Sequence, residues 1–468
     1  MAPALTTPTP ARPRIRRDHG AVDLSGPAPT DPPAVRTAGA AAATEVEGGD
    51  AHPASPAGAS PSNPAASGEL SIGSLVDATP ASRDRYVDFL RAISILVVVL
   101  WHWVFSITQW TGDGSLGMPN PIGDVPGLWL ATWVLQIMPV FFFVGGFANL
   151  ASLTAIERKG RGYRDFAKSR LQRLLKPIGI FLALWAVGDT LAKVALPGYS
   201  GVTHWGMVVF VPLWFLSVYT GVVLLAPLTA RLHRSGRELT VVAMVAVIVL
   251  ADLGRLRFGI EVLGFVASAM VWIFAHQLGY FWRDGTLTEG PRRRLWAMVV
   301  GGVTALIVLT NLGVYPRSMV SVRGESSNMF PTTTCIAALA VLLVGLVLLL
   351  RPAAERWLQN RRPWTFTVSV NAVAMTIFTW HMTALVAAIG IYQFAGGTLM
   401  TEATGAWWAQ RPLWLVLPGV VLAGLVAVFA RFELPTRRPA PAPETPGTPG
   451  DLVAAPADGA VEGAAISR

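Results

Sequence analysis

DFLRAISILVVVLWHW, residues 88 to 103, is an apolar run that carries Asp88, Arg91 and His102. A helix needs about 20 apolar residues to cross a hydrocarbon core ~30 Å thick, and this segment with its neighbours supplies them. At about 100° per residue, the eleven positions from Arg91 to His102 make three turns plus roughly 20°. The two side chains therefore share a helix face, about 16 Å apart along the axis. Asp88 stands three residues before Arg91, close enough to pair with it. The three form one polar stripe running from a bilayer edge toward its middle. An Arg or Asp at that depth costs at least ~2.5–3.5 kcal/mol on insertion scales. Such a stripe is predicted to face the bundle interior, a water-filled cavity or a ligand. The plainer alternative is an interfacial ion pair with a snorkelling arginine, plus a hydrogen-bonded core histidine.

The rest of the chain has the same character. Of 468 residues, 52% are hydrophobic and only 14% charged, and the mean hydropathy is +0.49. A soluble protein of this size has nowhere to hide so much apolar surface, so lipid is the predicted solvent. The net charge of +9 suggests nucleic acid at first sight, but the cations cluster in short segments between apolar runs. That is the pattern of cytoplasmic loops, so no nucleic-acid partner is expected. The single cysteine, Cys335, lies in an apolar run and is read as packing.

Residues 1–82 are rich in Ala, Pro, Thr, Gly and Ser and have few large apolar side chains. They are expected to be disordered, as is the tail 434–468. Arg16-Arg17 is followed by no apolar core, which argues against a signal peptide. Between the tails, 83–433 is expected to form an all-α integral membrane bundle of about ten transmembrane helices. The candidates lie near 87–108, 126–153, 177–197, 206–230, 239–254, 262–282, 295–315, 331–350, 367–394 and 412–433. Loop 154–176 is strongly basic, and loops 231–238, 283–294 and 351–362 are rich in arginine. The intervening loops are poor in cations. An even helix number follows, with both termini and the basic loops cytoplasmic and the protein in the plasma (inner) membrane. Trp110, Trp129, Trp205, Trp282, Trp296 and Trp364 are read as interfacial anchors.

Other polar groups sit in or near these helices. Arg170 and Arg173 are i, i+3, so both can reach one anion, and arginine forks suit phosphate. The positive-inside rule alone also accounts for them. Trp214, Ser217 and Tyr219 recur at i, i+3 and i+5; Ser217 reads first as a helix–helix hydrogen bond and only second as a nucleophile. Gly145 and Gly146 allow close helix approach or a break near a ligand. His381 has Asn371 ten residues before it, on roughly the same face, and could line the same cavity as His102. Asp189 and Lys193 read as a structural ion pair. His233 is expected in a loop and His204 at the outer surface. No HxxxH, HExxH or carboxylate cluster suggests a metal.

RDRYVDFLRAISILVVVLWHW (83–103) resembles the opening of the acyltransferase 3 family. These are polytopic membrane enzymes that O-acylate sugars, glycolipids, polysaccharides and some polyketides. Their first helix carries an arginine, ten residues, then a histidine, which Arg91 and His102 match. PVFFFVGGFANL (139–150) is similar to the family's phenylalanine-rich stretch, with Gly145 where serine is common. SRLQRLLKP (169–177) resembles its paired-arginine motif, matched by Arg170 and Arg173. PLWFLSVYTGVVLLAP (212–227) resembles a Trp-x-Leu-Ser-Val stretch, with Tyr219 where many members carry glutamate. MTIFTWHMTALV (375–386) resembles the late helix with a histidine after aromatic residues, matched by His381.

The resemblance implies a membrane O-acyltransferase with no permanently bound cofactor and acyl-CoA as donor substrate. Its implied acceptor is a hydroxyl of a sugar, cell-envelope glycan, glycolipid or secondary metabolite. It implies His102 as general base with Arg91 and Asp88 beside it. Arg170 and Arg173 would bind acyl-CoA, and Trp214, Ser217, Tyr219 and His381 would line the substrate site. Membrane lipid is the remaining expected partner. Two alternatives stay open on the residues alone: a transporter or flippase for a lipid-linked or anionic solute, and a membrane sensor or scaffold.

Overall fold

A computed structural model describes residues 72–80 and 83–433. Most of the disordered tails expected at 1–82 and 434–468 lie outside the described residues. One correction falls inside them: Ile72–Asp77 is a short helix, α1, and its Asp77 pairs with Arg361 at 3.1 Å.

The main helices follow in chain order. They are α2 (Arg85–Val104), α3 (Trp129–Leu135), α4 (Met138–Arg158), α5 (Tyr163–Ala195), the single turn α6 (Val202–Trp205), α7 (Leu213–Phe258) and α8 (Val262–Arg283). Then come α9 (Arg293–Asn311), α10 (Thr334–Trp357), α11 (Arg361–Ala372), α12 (Ala374–Phe394), α13 (Gly405–Ala409) and α14 (Leu413–Phe429). A two-residue antiparallel ribbon pairs Gln109–Trp110 with Leu116–Gly117.

Among the described residues, nine helical segments are long and apolar enough to cross a membrane. The longest, Met207–Phe258, contains α7, whose 46 residues would run about 69 Å if straight, over twice a bilayer's core. It breaks at Gly236, where φ/ψ leave the helical region. Its two arms correspond to the expected spans 206–230 and 239–254, so the segment contributes two crossings and the count reaches the expected ten.

Three boundaries differ from the sequence reading. The basic stretch around Arg170 and Arg173 is helical, as expected, but it does not stop before the span expected at 177–197: α5 runs unbroken from Tyr163 through Pro177. The span expected at 367–394 divides at Val373, so Asn371 ends α11 while His381 lies within α12. His233 is inside α7 and buried, 3.0 Å from Asp284. Trp282 and Trp364 are also buried within the bundle rather than facing outward, whereas Trp110 and Trp296 are exposed.

In lipid every backbone group must find a partner inside the protein. Carboxylates supply several of the partners that helix starts lack. Asp84 accepts from the amides of Tyr86 and Val87 at the start of α2. Glu433 accepts from the amides of Met375 and Thr376 at 2.8 Å, capping α12 from 58 and 57 residues further along the chain. Buried Asp252 accepts from the Thr334 amide at 2.6 Å, the Thr334 hydroxyl at 2.8 Å and the Tyr315 hydroxyl at 3.1 Å, starting α10. The Asp189–Lys193 pair forms at 2.7 Å, and Cys335 is buried.

Small residues set the closest helix crossing. A Cβ on Gly146 of α4 would collide with the His276 carbonyl of α8, and one on Gly279 would collide with the Phe143 carbonyl. The two backbones are therefore in contact, the close-approach alternative for this pair of glycines. Aromatic rings fill the space beside the crossing. Phe142 stacks on Trp272 at 4.7 Å and Phe143 on Trp282 at 5.1 Å.

Asp252→Ala removes the acceptor for three donors and leaves the first amide of α10 unpaired. It is expected to lower stability by about 1–3 kcal/mol, read as an earlier thermal or urea transition of the detergent-solubilised protein. An unchanged transition would mean that this carboxylate does not hold α10.

Candidate functional site

Two cavities lie at opposite ends of α2. Among the described residues their linings have no residue in common.

The first cavity, about 530 Å³, sits at the end that carries the arginine-rich segments. Arg83, Arg91, Arg173, Lys176 and Arg431 line it, against Asp88 and Glu433. Five cations against two carboxylates leave an excess of three. The Asp88 carboxylate is held between Arg83 and Arg91, the latter at 3.0 Å. Arg91 also donates from Nε to Asn371 Oδ1 at 2.7 Å, and Asn371 donates back to the Asp88 carbonyl at 2.8 Å. The expected Asp88–Arg91 pair is present and is locked onto α11.

Arg170 stands beside this cavity. It donates to the Ala148 carbonyl at 3.2 Å. Its buried Nε has no hydrogen-bond partner among the described residues. Tyr219 of α7 lies within electrostatic reach of Arg91, Arg170 and Arg173. The Tyr219 ring fits there because position 145 is glycine: a Cβ would sit 2.9 Å from both its Oη and its Cε2. Gly145 and Tyr219, the two departures from the family pattern, are thus adjacent in space and sterically coupled.

The second cavity, about 300 Å³, is mostly apolar, with Gln136, Asn120 and Ser106 among its polar residues. His102 projects into its lining with Trp101, Trp214, Phe215 and Phe378. Behind His102 stands His381, buried, with Nε2 at 3.3 Å from His102 Nδ1. The tautomers follow from the acceptors around them. His381 Nδ1 is 2.7 Å from the Phe378 carbonyl, so it carries the proton and its Nε2 is a lone pair. His102 Nδ1 faces that lone pair and the Val98 carbonyl at 2.8 Å, so it too must be N–H. The proton-free nitrogen of His102 is then Nε2. An imidazole held this way can accept a proton at Nε2, and the new cation keeps its Nδ1–H shared between two acceptors.

His102 lines the second cavity, whereas His381 is fully buried and touches His102 from behind without lining that cavity; Asn371 lines the other one. The stripe of Asp88, Arg91 and His102 is real as a helix face, but its two ends open into different spaces. Phe215, Phe378 and Tyr219 stand between them, with Phe215–Phe378 ring centroids 5.3 Å apart and Phe215–Tyr219 5.7 Å. Trp214 lines the second cavity. Ser217 is exposed and donates back to the Leu213 carbonyl of its own helix at 2.9 Å.

Arg411 escaped the sequence reading. It is buried, stacked 3.6 Å over the Trp407 ring, with Nε donating to the Trp407 carbonyl. Its guanidinium reaches the Val104 and Ser106 carbonyls at 3.5 Å and so caps the C-terminus of α2, next to His102. Burial pulls its pKa down to about 10, which leaves it a cation at neutral pH. The available signal was one arginine inside WWAQRPLW, at the end of the bundle otherwise poor in cations.

Gly145→Ala displaces only a ring, whereas Gly146→Ala drives α4 off α8. Overpacking of this kind costs about 1–3 kcal/mol. Gly146→Ala is expected to give the larger fall in melting temperature; equal falls would contradict the backbone contact.

The profile of the acyltransferase 3 family, an acyltransferase domain, matches residues 84–431. No curated protein and no solved structure matches the chain. The match covers all of α2 to α14, the whole lining of the His102 cavity and most of the lining of the cation-rich one, and the apolar helices make the protein multi-pass in a membrane. The chain belongs to the acyltransferase 3 family and is a membrane acyltransferase.

Proposed function

We propose that the protein is an O-acyltransferase that takes an acyl group from cytoplasmic acyl-CoA and places it on an acceptor hydroxyl at His102. The observation that carries this reading is the division of one helix between two cavities. One cavity has a cation excess suited to the phosphates of coenzyme A; the other has an imidazole with a free Nε2 lone pair. The membrane is the plasma (inner) membrane, with both termini and the basic segments on the cytoplasmic side.

In this reading Arg173, Arg170 and Arg91 hold the phosphates as bidentate partners, with Asp88 and Asn371 fixing the Arg91 fork. The flexible arm of the donor extends past Phe215 and Tyr219 toward His102. His102 Nε2 takes the proton of the acceptor hydroxyl while the hydroxyl oxygen bonds to the thioester carbon. The carbon–sulfur bond breaks, and the proton passes from Nε2 to the departing thiolate. His381 is a positioning residue: its Nε2 accepts from His102 Nδ1–H and stabilises the transient imidazolium. Trp214 shapes the acceptor's side of the cavity.

The test is radiolabelled acetyl-CoA with the purified protein and a cell-envelope extract as acceptor. Release of CoA that depends on the extract is expected. A solute transporter would release none. His102→Gln is expected to lose at least about 100-fold in kcat with folding intact. Arg173→Gln is expected to raise the KM for acetyl-CoA about tenfold while kcat stays within threefold, since its contact is to the donor alone. Full transfer by His102→Gln would overturn the mechanism.

A further inference from the structure

A third cavity, about 610 Å³, lies between the first arm of α7 and α8. Gly221 and Leu225 form one wall and Phe265 the other; the Phe265 side chain is 74% exposed. Among the described residues no charged group lines it. Its polar atoms are satisfied locally, since the Thr332 amide donates to Ser268 Oγ at 2.6 Å. Such a surface offers nothing to a water-soluble ligand and suits hydrocarbon.

Its position is what gives it meaning. Trp214 and Phe330 line both this groove and the cavity of His102. Their rings meet edge to face at 5.0 Å, forming a threshold between the two spaces. From Trp214 to Leu225 the helix rises about 16 Å, roughly half the ~30 Å of a hydrocarbon core. The groove therefore has the depth of one leaflet, starting at the height of the His102 cavity. Beyond the threshold the lining is still mostly apolar but adds polar side chains, with Gln136, Asn120 and Ser106 in it beside the imidazole of His102. An apolar trough one leaflet deep, leading to a chamber that holds a base and a few polar side chains, matches an amphiphile with one hydrocarbon chain and a hydroxylated head.

We infer that the acceptor is lipid-linked and enters sideways from the bilayer, its chain in the Gly221–Leu225–Phe265 groove and its head in the His102 cavity. This rests on the proposed role of His102. The donor does not compete for the groove, because it approaches from the opposite side of Phe215 and Tyr219. The bond changes are those already given: the head's hydroxyl oxygen bonds to the thioester carbon, its proton goes to His102 Nε2 and then to the coenzyme A thiolate.

The groove can be filled without a clash at its base. A Cβ on Gly221 meets nothing within 4 Å, so Gly221→Trp projects an indole into the trough. Leu225→Trp is a second way to fill it. Val300→Trp, a bulky change at a 61% exposed site on α9, is the control.

The experiment presents the full chain in nanodiscs with radiolabelled acetyl-CoA and two extracts of the cells in which it occurs. One is the total lipid extract, the other the water-soluble glycans. Label is expected in the lipid phase, reduced at least tenfold by Gly221→Trp or Leu225→Trp and unchanged by Val300→Trp. Label in the glycans alone overturns the inference. So does label in neither phase while the donor is still hydrolysed, or lipid labelling that both groove variants leave intact. A protein that turns over no donor with either extract would instead sink the reading of His102, a distinguishable result.

Discussion

The rise of an α-helix sets the arrangement on which the other features depend. Arg91 and His102 sit on one face of α2, about 16 Å apart, so no ordinary side chain bridges them. Each end is consequently fixed by its own partner from a different helix. Arg91 is tied to Asn371 in α11 and His102 to His381 in α12, and the break at Val373 lets the two helices diverge to reach both. Trp103 adds a third tie, donating to the His381 carbonyl at 3.1 Å. The proposed division of labour, anion at one end and base at the other, needs this rigidity, because a slip of one residue would turn each group by about 100° off its cavity.

The remainder of the bundle serves to keep the two ends apart. The contact of Gly146 and Gly279 brings α4 against α8 and places Phe142 beside Phe215 and Tyr219. These rings with Phe378 form an aromatic wall between the two spaces. Carboxylate caps at Asp84, Asp252 and Glu433 secure the starts of three helices that build the cavity walls or support them. Glu433 does this from just after α14, so the segment that follows the last long helix is stitched to the start of the helix that carries His381.

Much of this was legible in the sequence, and the misses have physical causes. Apolar runs bounded by arginines located the crossings, because a lipid-facing helix must be apolar all round. Helical spacing identified the Asp88–Arg91–His102 face, and the family resemblance pointed to His381. Spacing alone could not reveal that the face opens into two spaces, since the separating rings come from α7 and α12. The Asn371–His381 pairing failed because no glycine or proline marks Val373; the helix breaks there through tertiary contacts, with Glu433 capping the second piece. The stretch around Arg170 and Arg173 was legible as a helix, but its continuity with the following span was not, because Pro177 lies between the charged and the apolar parts. Arg411 was hidden because a lone arginine says nothing until its helix-capping contact is seen.

The wall of Phe215, Phe378 and Tyr219 now becomes a mechanistic requirement. If donor and base occupy separate cavities, the thioester must pass these rings before any proton moves. An always-open passage would let water reach the thioester at His102 and hydrolyse it. A closed wall that yields to the donor's arm avoids this loss, and rings held by edge-to-face contacts are suited to it. Each such contact is worth only about 0.5–1.5 kcal/mol beyond its buried area, so rotating one or two rings is affordable to a donor anchored by several arginines. In that reading Tyr219 would be the pivot, because it touches Phe215 on one side and lies within electrostatic reach of Arg91, Arg170 and Arg173 on the other. In the proposed reading, an anion bound among Arg91, Arg170 and Arg173 would change the field at the phenol and so would couple filling of one cavity to opening of the path toward the other.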